Sequence, residues 1–247
     1  MSVPTARSPR HQSLPGLHSQ VLDALGVEIC SGRLPAGSVL TLEEIEKAHG
    51  VSRSVGRETI RVLESMRLVI SRRRVGVVVL SPDEWNLFDP RVIRWRMESP
   101  DRDEQIDSLA ELRIAVEPES ARLAATRATP TQAAELVGIA GRMWAASEEG
   151  DRERFLELDV EFHALLLACS SNALFQQLES LVGEILTGWL AHGLGPAHPH
   201  PEALRLHSDV AAAVQRREPE EAFARMRQLL LQSAEESAST REGVEEK

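Results

Sequence analysis

From residue 103 to residue 236 the apolar positions recur every three to four residues, which is the period of α-helices with one buried face. Capping and turn residues, among them Thr129-Pro130 and Gly150-Asp151, divide this region into separate helices. We expect Pro118 to kink or divide the first of them, because proline lacks the N–H that a helix interior needs. The pattern predicts a bundle of helices near residues 103–126, 130–148, 152–169, 173–192, 202–217 and 219–236.

The amino-terminal part of the chain has a different pattern. Residues 17–31 carry apolar residues at every fourth position and predict a single helix. Residues 41–80 then predict a helix, a tight turn, a second helix and a two-stranded hairpin. Thr41, with Glu44 three residues later, has the form of a capping box, and Ser52 is placed to cap the second helix. This order of elements is that of a winged helix-turn-helix.

Arginines recur on one side of the second of these helices. Arg53, Arg57 and Arg61 are four residues apart and share a helical face, and three further arginines occupy the tip of the hairpin. Taken singly, a row of arginines is more often a solvated face, and a basic tip is an ordinary exposed turn. Together, and in this order, they favour a helix that enters the DNA major groove beside a basic wing. The candidate DNA-binding residues are Arg53, Ser54, Arg57, Arg61, Arg72, Arg73, Arg74 and Gly76.

The charge of the chain is divided unevenly. Residues 1–82 contain 11 Lys and Arg against 7 Asp and Glu, a net charge of +4, whereas the whole chain has −10, which leaves −14 for the remainder. A basic amino-terminal unit on an acidic body confines the attraction for phosphate to one unit. The overall negative charge would argue against a nucleic-acid partner, so the local balance is the better guide.

The cysteine content and the absence of long apolar runs indicate the cellular compartment of the protein. Cys30 and Cys169 lie in apolar surroundings far apart and form no CxxC motif, which predicts reduced, buried thiols. No run of residues approaches the roughly 20 apolar residues of a membrane span, and residues 1–15 lack the apolar core of a signal peptide. We therefore expect a cytoplasmic protein that has no membrane partner.

Three residues predicted for inward faces of the bundle could together bind a metal. Asp159 and His163 are four residues apart on one helix, and His207 lies on the apolar side of a later helix. One carboxylate and two imidazoles suit a borderline divalent metal, although a single inward histidine is more often a hydrogen-bonded core residue. Arg113 also falls on an apolar stripe. It either forms an ion pair with an acidic residue such as Glu117 or captures the carboxylate of a small effector.

The segment from Gly32 to Leu80 resembles the amino-terminal domain of GntR-family transcription regulators. The resemblance implies that Arg53 and Arg57 contact operator bases or phosphates and that the wing reaches the minor groove. Glu43 stands where many members carry an arginine, which implies a different operator sequence or weaker binding. The residues that carry the resemblance are Gly32, Pro35-Ala36-Gly37-Ser38, Gly50-Val51-Ser52-Arg53, Arg57-Glu58, Leu63-Glu64 and Gly76.

The second half of the chain resembles the FCD effector domain of the FadR-type branch of the same family. Similar domains are dimeric all-helical bundles, and many bind a divalent metal through an Asp, a His four residues later and two further His. The match implies one divalent ion, zinc or similar, bound by Asp159, His163 and His207. Leu229 stands where the fourth ligand is expected. The resemblance is carried by residues 111–129, residues 158–175 and the segment around His207.

The resemblance also implies an effector. The arginine at the position of Arg113 commonly lines the FCD pocket, and Asn172 at a helix junction is a second candidate for contacting the effector. The segment WNLFDPRVIRW, from Trp85 to Trp95, looks like the branch associated with sugar acids such as galactonate. These features imply a small sugar acid or hydroxy acid as the effector.

The fold predicted from these patterns is mainly α, with a winged helix-turn-helix and an all-α FCD bundle. We expect a homodimeric repressor, not an enzyme, that leaves a palindromic double-stranded operator when a small carboxylate binds. The alternatives are a helical-bundle metalloenzyme acting on a hydroxy acid and an effector-independent DNA-binding protein. The expected segments are a disordered tail 1–13, the DNA-binding domain 14–81, a linker with a docking helix 82–102, the effector-binding and dimerisation domain 103–236 and a disordered tail 237–247.

Overall fold

The computed structural model describes residues 16–191 and 200–245. The chain divides into two compact units, one ending at Asn86 and the other beginning at Leu87. Among the described residues, no helix combines the length and the apolar character needed to cross a membrane. The predicted amino-terminal tail lies outside the described residues.

From residue 16 onward the first unit contains three α-helices, a small antiparallel sheet and a short 3-10 helix at Pro82–Glu84. The sheet has the strand order β1-β3-β2, so the hairpin β2-β3 gains a third strand on its β3 side. We predicted only the hairpin from the sequence, because a strand of two residues shows no alternation. The elements are α1 (Leu17–Cys30), β1 (Val39–Leu40), α2 (Leu42–His49), α3 (Arg53–Ser65), β2 (Val69–Arg72) and β3 (Gly76–Val79).

Local interactions set the ends of α2 and α3. The capping box is present: the Thr41 hydroxyl accepts from Glu44 N at 3.1 Å, and Thr41 N donates to the Glu44 carboxylate at 2.7 Å. Gly50 ends α2 in the left-handed conformation, with φ 62°. The prediction that the Ser52 side chain caps α3 was wrong, because its hydroxyl is hydrogen-bonded to that of Ser54 at 3.0 Å.

The second unit is helical throughout its described residues. Helices α5, α6, α7, α10 and α11 surround one core, which includes the fully buried Phe162. A second core lies between α4, α5, α7 and α9 and contains Ile93, Ile106 and Ile185. The helices are α4 (Pro90–Arg96), α5 (Arg102–Arg127), α6 (Pro130–Glu149), α7 (Arg152–Cys169), α8 (Ala173–Gln176), α9 (Glu179–Ala191), α10 (Pro201–Arg216) and α11 (Pro219–Glu245).

Three helix boundaries differ from those expected. Pro118 does not divide its helix, since α5 continues through it as one element of 26 residues. The single helix expected at 173–192 is two helices, α8 and α9. Finally, α11 does not end near residue 236 but continues to Glu245, and Ser237 in the expected tail is only 3% exposed. This carboxy-terminal turn packs on α5, where Arg241 reaches Asp107 at 2.5 Å.

Candidate functional site

The arginines predicted for DNA binding are exposed on α3. Arg61 pairs with Glu58 at 3.3 Å on the helix surface, whereas no ion pair involves Arg53 or Arg57 among the described residues. Gly56 lets α3 approach α2 closely, because a Cβ at that position would lie 2.8 Å from Leu42 Cδ1. Helix α3 is thus held against α2 on one side and presents its arginines on another.

The hairpin tip presents the other basic residues. Arg72, Arg73 and Arg74 are all exposed, and Arg74 has a positive φ of 64° in the turn. Gly76 has a structural reason to be glycine, since its φ is 126° and a Cβ would lie 2.8 Å from the carbonyl oxygen of Leu40 in β1. The hairpin is tied to α3 by Ser71 N, which donates to the Glu64 carboxylate at 2.6 Å.

The structure brings together the three residues predicted to bind a metal. Helix α7 carries Asp159 and His163, and α10 packs beside the same core and carries His207. Oδ1 of Asp159 lies 2.9 Å from Nε2 of His207 and 3.5 Å from Nε2 of His163. One ligand atom from each residue lies within 4.8 Å of the others, and both histidines are buried.

Hydrogen bonds at the far side of each ring set the histidine tautomers. Nδ1 of His207 is 2.7 Å from the carbonyl oxygen of Ala203, which can only accept, so Nδ1 is the donor. Nδ1 of His163 donates in the same way to Oε2 of Glu117. In the neutral form of each ring the lone pair therefore lies on Nε2, which faces Asp159. Metal-binding histidines in proteins are usually held in this way.

The surroundings of Nε2 of His207 indicate whether a metal ion fits between the three candidate ligands. This atom is buried, and its one polar neighbour in the described structure is Oδ1 of Asp159, 2.9 Å away. With Nδ1 of His207 already donating to Ala203, two acceptor atoms face each other. A cation satisfies both, and two imidazole nitrogens with one carboxylate oxygen are a suitable donor set for zinc or a similar ion.

Arg113, the predicted effector anchor, already has a partner. Its Nε lies 2.5 Å from Oε1 of Glu117, and both side chains are almost fully buried. Its Nη2 lies 3.3 and 3.4 Å from the two ring nitrogens of His163. Of the two alternatives left open by the sequence, the structure shows the ion pair with Glu117. A small cavity with room for about one water molecule adjoins this pair and is otherwise lined by Leu178 and by apolar side chains of α5, α7 and α9.

Two other predicted residues have structural roles. The side chain of Asn172 caps α8 by accepting from Leu174 N at 3.0 Å, and Asn172 does not line the cavity beside Arg113. Leu229, where the resemblance places a fourth ligand, is 4% exposed and belongs to the apolar core. The residue that our sequence reasoning did not include in the site is Glu117. Its position four residues after Arg113 indicated only an ion pair.

The buried charges of this site balance each other. Burial raises the pKa of Glu117, but Arg113 and His163 outweigh it and hold the pKa at about 2. Burial likewise acts on Asp159, yet His163 and His207 hold the pKa of this carboxyl well below its usual range. Burial lowers the pKa of His163, but Glu117 and Asp159 raise it to about 9. Near pH 7 the charges on these two carboxylates, Arg113 and His163 add up to zero.

Both units match known families. Residues 17–79 match the gntR family of bacterial regulatory proteins, and residues 108–232 match the FCD domain. The chain belongs to the GntR family. Its FCD domain spans about half of the chain and contains Arg113, Glu117 and all three candidate metal ligands, so the buried site belongs to that domain. GntR regulators bind DNA, which agrees with the exposed arginines of α3.

The curated relatives of this GntR protein are transcription regulators. It is 32% identical over 160 residues to the uncharacterized HTH-type regulator YieP of Escherichia coli, covering 64% of this chain and 70% of the relative. It is also 32% identical over 167 residues to the galactonate operon transcriptional repressor of the same organism, covering 67% and 72%. These relatives agree with the prediction that the chain is not an enzyme.

Solved structures show the same fold. The Streptococcus agalactiae GntR protein aligns with a TM-score of 0.50 at 25% identity, covering 88% of this chain and 99% of that one. The Lar protein, which controls expression of the Listeria monocytogenes agr system, aligns with a TM-score of 0.60 at 16% identity, covering 92% and 99%. The predicted fold, a winged helix-turn-helix followed by an all-helical FCD domain, is confirmed.

Proposed function

We propose that this GntR protein is a homodimeric repressor that binds a palindromic operator and releases it when a small carboxylate binds in the helical unit. Residues 14–81 read the DNA, and residues 103–236 bind the effector and form the dimer. A dimer presents two copies of α3 related by a two-fold axis, which is the symmetry of a palindrome.

The exposed arginines support the assignment of α3 and the wing to DNA. Arg53 and Arg57 lie unpaired within the described structure and can contact base edges or phosphates without breaking an internal ion pair. The basic wing, Arg72 to Arg74, adds phosphate attraction next to the same helix. Glu43 is exposed at the start of α2, and its negative charge there favours a different operator sequence or weaker binding.

The metal site supports a sensor function of the FCD domain. Asp159, His163 and His207 would hold one divalent ion, zinc or similar, and three protein ligands leave a position for water or an effector oxygen. When bound, the ion supplies a positive charge and a Lewis-acidic anchor for such an oxygen. To accept it, His163 loses the proton that it carries at neutral pH.

The charge that the buried site would carry with a divalent ion bound favours an anionic effector. With a divalent ion in place and the histidines neutral, Arg113 and the ion contribute +3, and Glu117 and Asp159 contribute −2. The remaining +1 is costly in a buried position and is cancelled by one carboxylate. One relative is a galactonate operon repressor, and another is a probable D-xylose utilization operon repressor of Paenarthrobacter nicotinovorans. A sugar acid or hydroxy acid is therefore the proposed class.

Release of DNA follows from linkage between the two sites. The effector binds more tightly to the arrangement of the two DNA-binding domains that does not fit the operator. It therefore weakens operator binding by the same factor by which the operator weakens effector binding. The curated relatives are transcription regulators, which argues against the metalloenzyme alternative.

Two measurements test this function. An operator is selected from a random DNA pool with the purified protein, and its affinity is measured by fluorescence anisotropy with and without zinc and a panel that includes D-galactonate. We expect one acid to weaken operator binding several-fold or more. If operator affinity is unchanged by every acid while the selected DNA still binds, the protein is an effector-independent DNA-binding protein. If no DNA is enriched, the assignment of α3 fails.

A further inference from the structure

Glu117 uses both of its carboxylate oxygens inside the protein. Oε1 accepts from Nε of Arg113 at 2.5 Å, and Oε2 accepts from Nδ1 of His163. The side chain is 1% exposed, so its charge is offset by these partners alone and not by water. Glu117 lies on α5 and His163 on α7, so this contact joins two helices that are far apart in sequence.

The two histidines of the candidate metal site, His163 and His207, are oriented by different means. His207 donates to the carbonyl oxygen of Ala203, four residues earlier on its own helix, which no substitution of a side chain removes. His163 depends on a side chain from another helix. A carboxylate acceptor at Nδ1 selects the tautomer with its lone pair on Nε2, holds the ring plane, and makes Nε2 a stronger ligand.

We propose that Glu117 is the positioning residue of the metal site and that it sets metal affinity by orienting His163, with Arg113 in turn holding the Glu117 carboxylate in place. This inference rests on the proposed metal site of the FCD domain. It gives Arg113 a role in the metal site that does not depend on contact with an effector.

The substitution that tests this role is Glu117→Gln. Glutamine has nearly the same shape and can still accept from His163, but it lacks the negative charge that strengthens the imidazole ligand and attracts Arg113. The matched control is Glu119→Gln, the same change two residues along α5. Glu119 pairs with Arg122 at 2.8 Å on the surface and, among the described residues, has no hydrogen bond or ion pair to a candidate metal ligand.

Cobalt(II) is the probe, measured on the full-length, chelator-treated protein. Its affinity is obtained by competition with a chromophoric chelator, and its ligand-field absorption reports the geometry around the ion. We expect Glu117→Gln to weaken cobalt binding about 10- to 100-fold and to change the absorption spectrum. Glu119→Gln should bind as tightly as the wild type, with the same spectrum. The spectrum is a readout that a general loss of stability would not move.

The outcomes separate the two proposals. If the wild-type protein binds neither cobalt nor zinc, the metal site of the proposed function fails, and this inference fails with it. If the wild type binds cobalt and Glu117→Gln binds equally well with an unchanged spectrum, only the role of Glu117 is overturned. Should Glu117→Gln not fold, Glu117→Asp keeps the charge but withdraws it from Nδ1 by one methylene. We expect an intermediate loss of affinity for it, and wild-type affinity would overturn the proposal.

Discussion

The Nε of Arg113 lies 2.5 Å from Oε1 of Glu117, four residues along α5, and both side chains are almost completely buried. An effector carboxylate that binds Arg113 must therefore share this guanidinium with an internal carboxylate. Because the other oxygen of Glu117 accepts from His163, and Nη2 of Arg113 itself lies 3.3 Å from Nε2 of His163, a change at Arg113 reaches the candidate metal site both directly and through Glu117. Metal binding and effector binding are expected to be coupled for this reason.

Replacement of Arg57 by alanine should weaken operator binding strongly while leaving the helical unit folded. Loss of one base or phosphate contact costs about 1–3 kcal/mol and lowers the salt dependence of binding by about one unit. Anisotropy with the selected operator at matched salt measures the effect. Arg154→Ala, which removes an exposed arginine from α7, is the control and should bind normally. Equal affinity of the two variants would show that α3 does not read the DNA.

Replacement of Asp159 by asparagine should remove the stabilisation of the protein by zinc. An ion at 100 times its dissociation constant stabilises the wild type by about 2.7 kcal/mol, which thermal unfolding detects readily. The control is Asp209→Asn on α10, whose carboxylate pairs with Arg205 at the surface at 2.5 Å. Zinc should stabilise the control variant as it does the wild type. A zinc shift that survives in Asp159→Asn would place the ion elsewhere.

A methyl group at Gly76 should destabilise the first unit. Alanine at φ 126° is strained, and its Cβ would meet the Leu40 carbonyl oxygen at 2.8 Å, so we expect a loss of roughly 1–3 kcal/mol. Gly141→Ala is the opposite case, because its helical position in α6 has no neighbour within 4 Å. There alanine should be neutral or stabilise by up to about 1 kcal/mol. Chemical denaturation measures the change in the free energy of unfolding for each variant. A Gly76→Ala protein as stable as the wild type would contradict the wing geometry.

The Cys169 thiol should be unreactive in the folded protein. Burial raises the pKa of Cys169 from 9.0 to about 11, and the thiolate is the reactive form. A thiol-specific reagent at pH 8 should modify it only after denaturation. Since the folded pKa is above the unfolded one, its contribution to stability is complete below pH 9 and is lost as the pH rises towards 11. Fast labelling of Cys169 at pH 8 without unfolding would refute this.

Helix periodicity and capping motifs in the sequence predicted most of the local structure. The capping box predicted at Thr41 is present, and Thr129 forms a second one with Gln132 at the start of α6, because such a motif needs only residues three apart. The predictions failed where an element depends on contacts with residues distant in sequence. Strand β1 has two residues and exists only by pairing with β3, and α11 extends past residue 236 where Arg241 contacts α5.

The sequence by itself determined that Asp159 and His163 are neighbours, since residues four apart share a helical face. It also determined the order of the helix-turn-helix and the basic face of α3. Only the tertiary structure decided that His207 joins the pair and that Glu117 holds His163, because these contacts depend on how α5, α7 and α10 pack. Packing positions side chains that are 46 residues apart, as Glu117 and His163 are, and no local period encodes that distance.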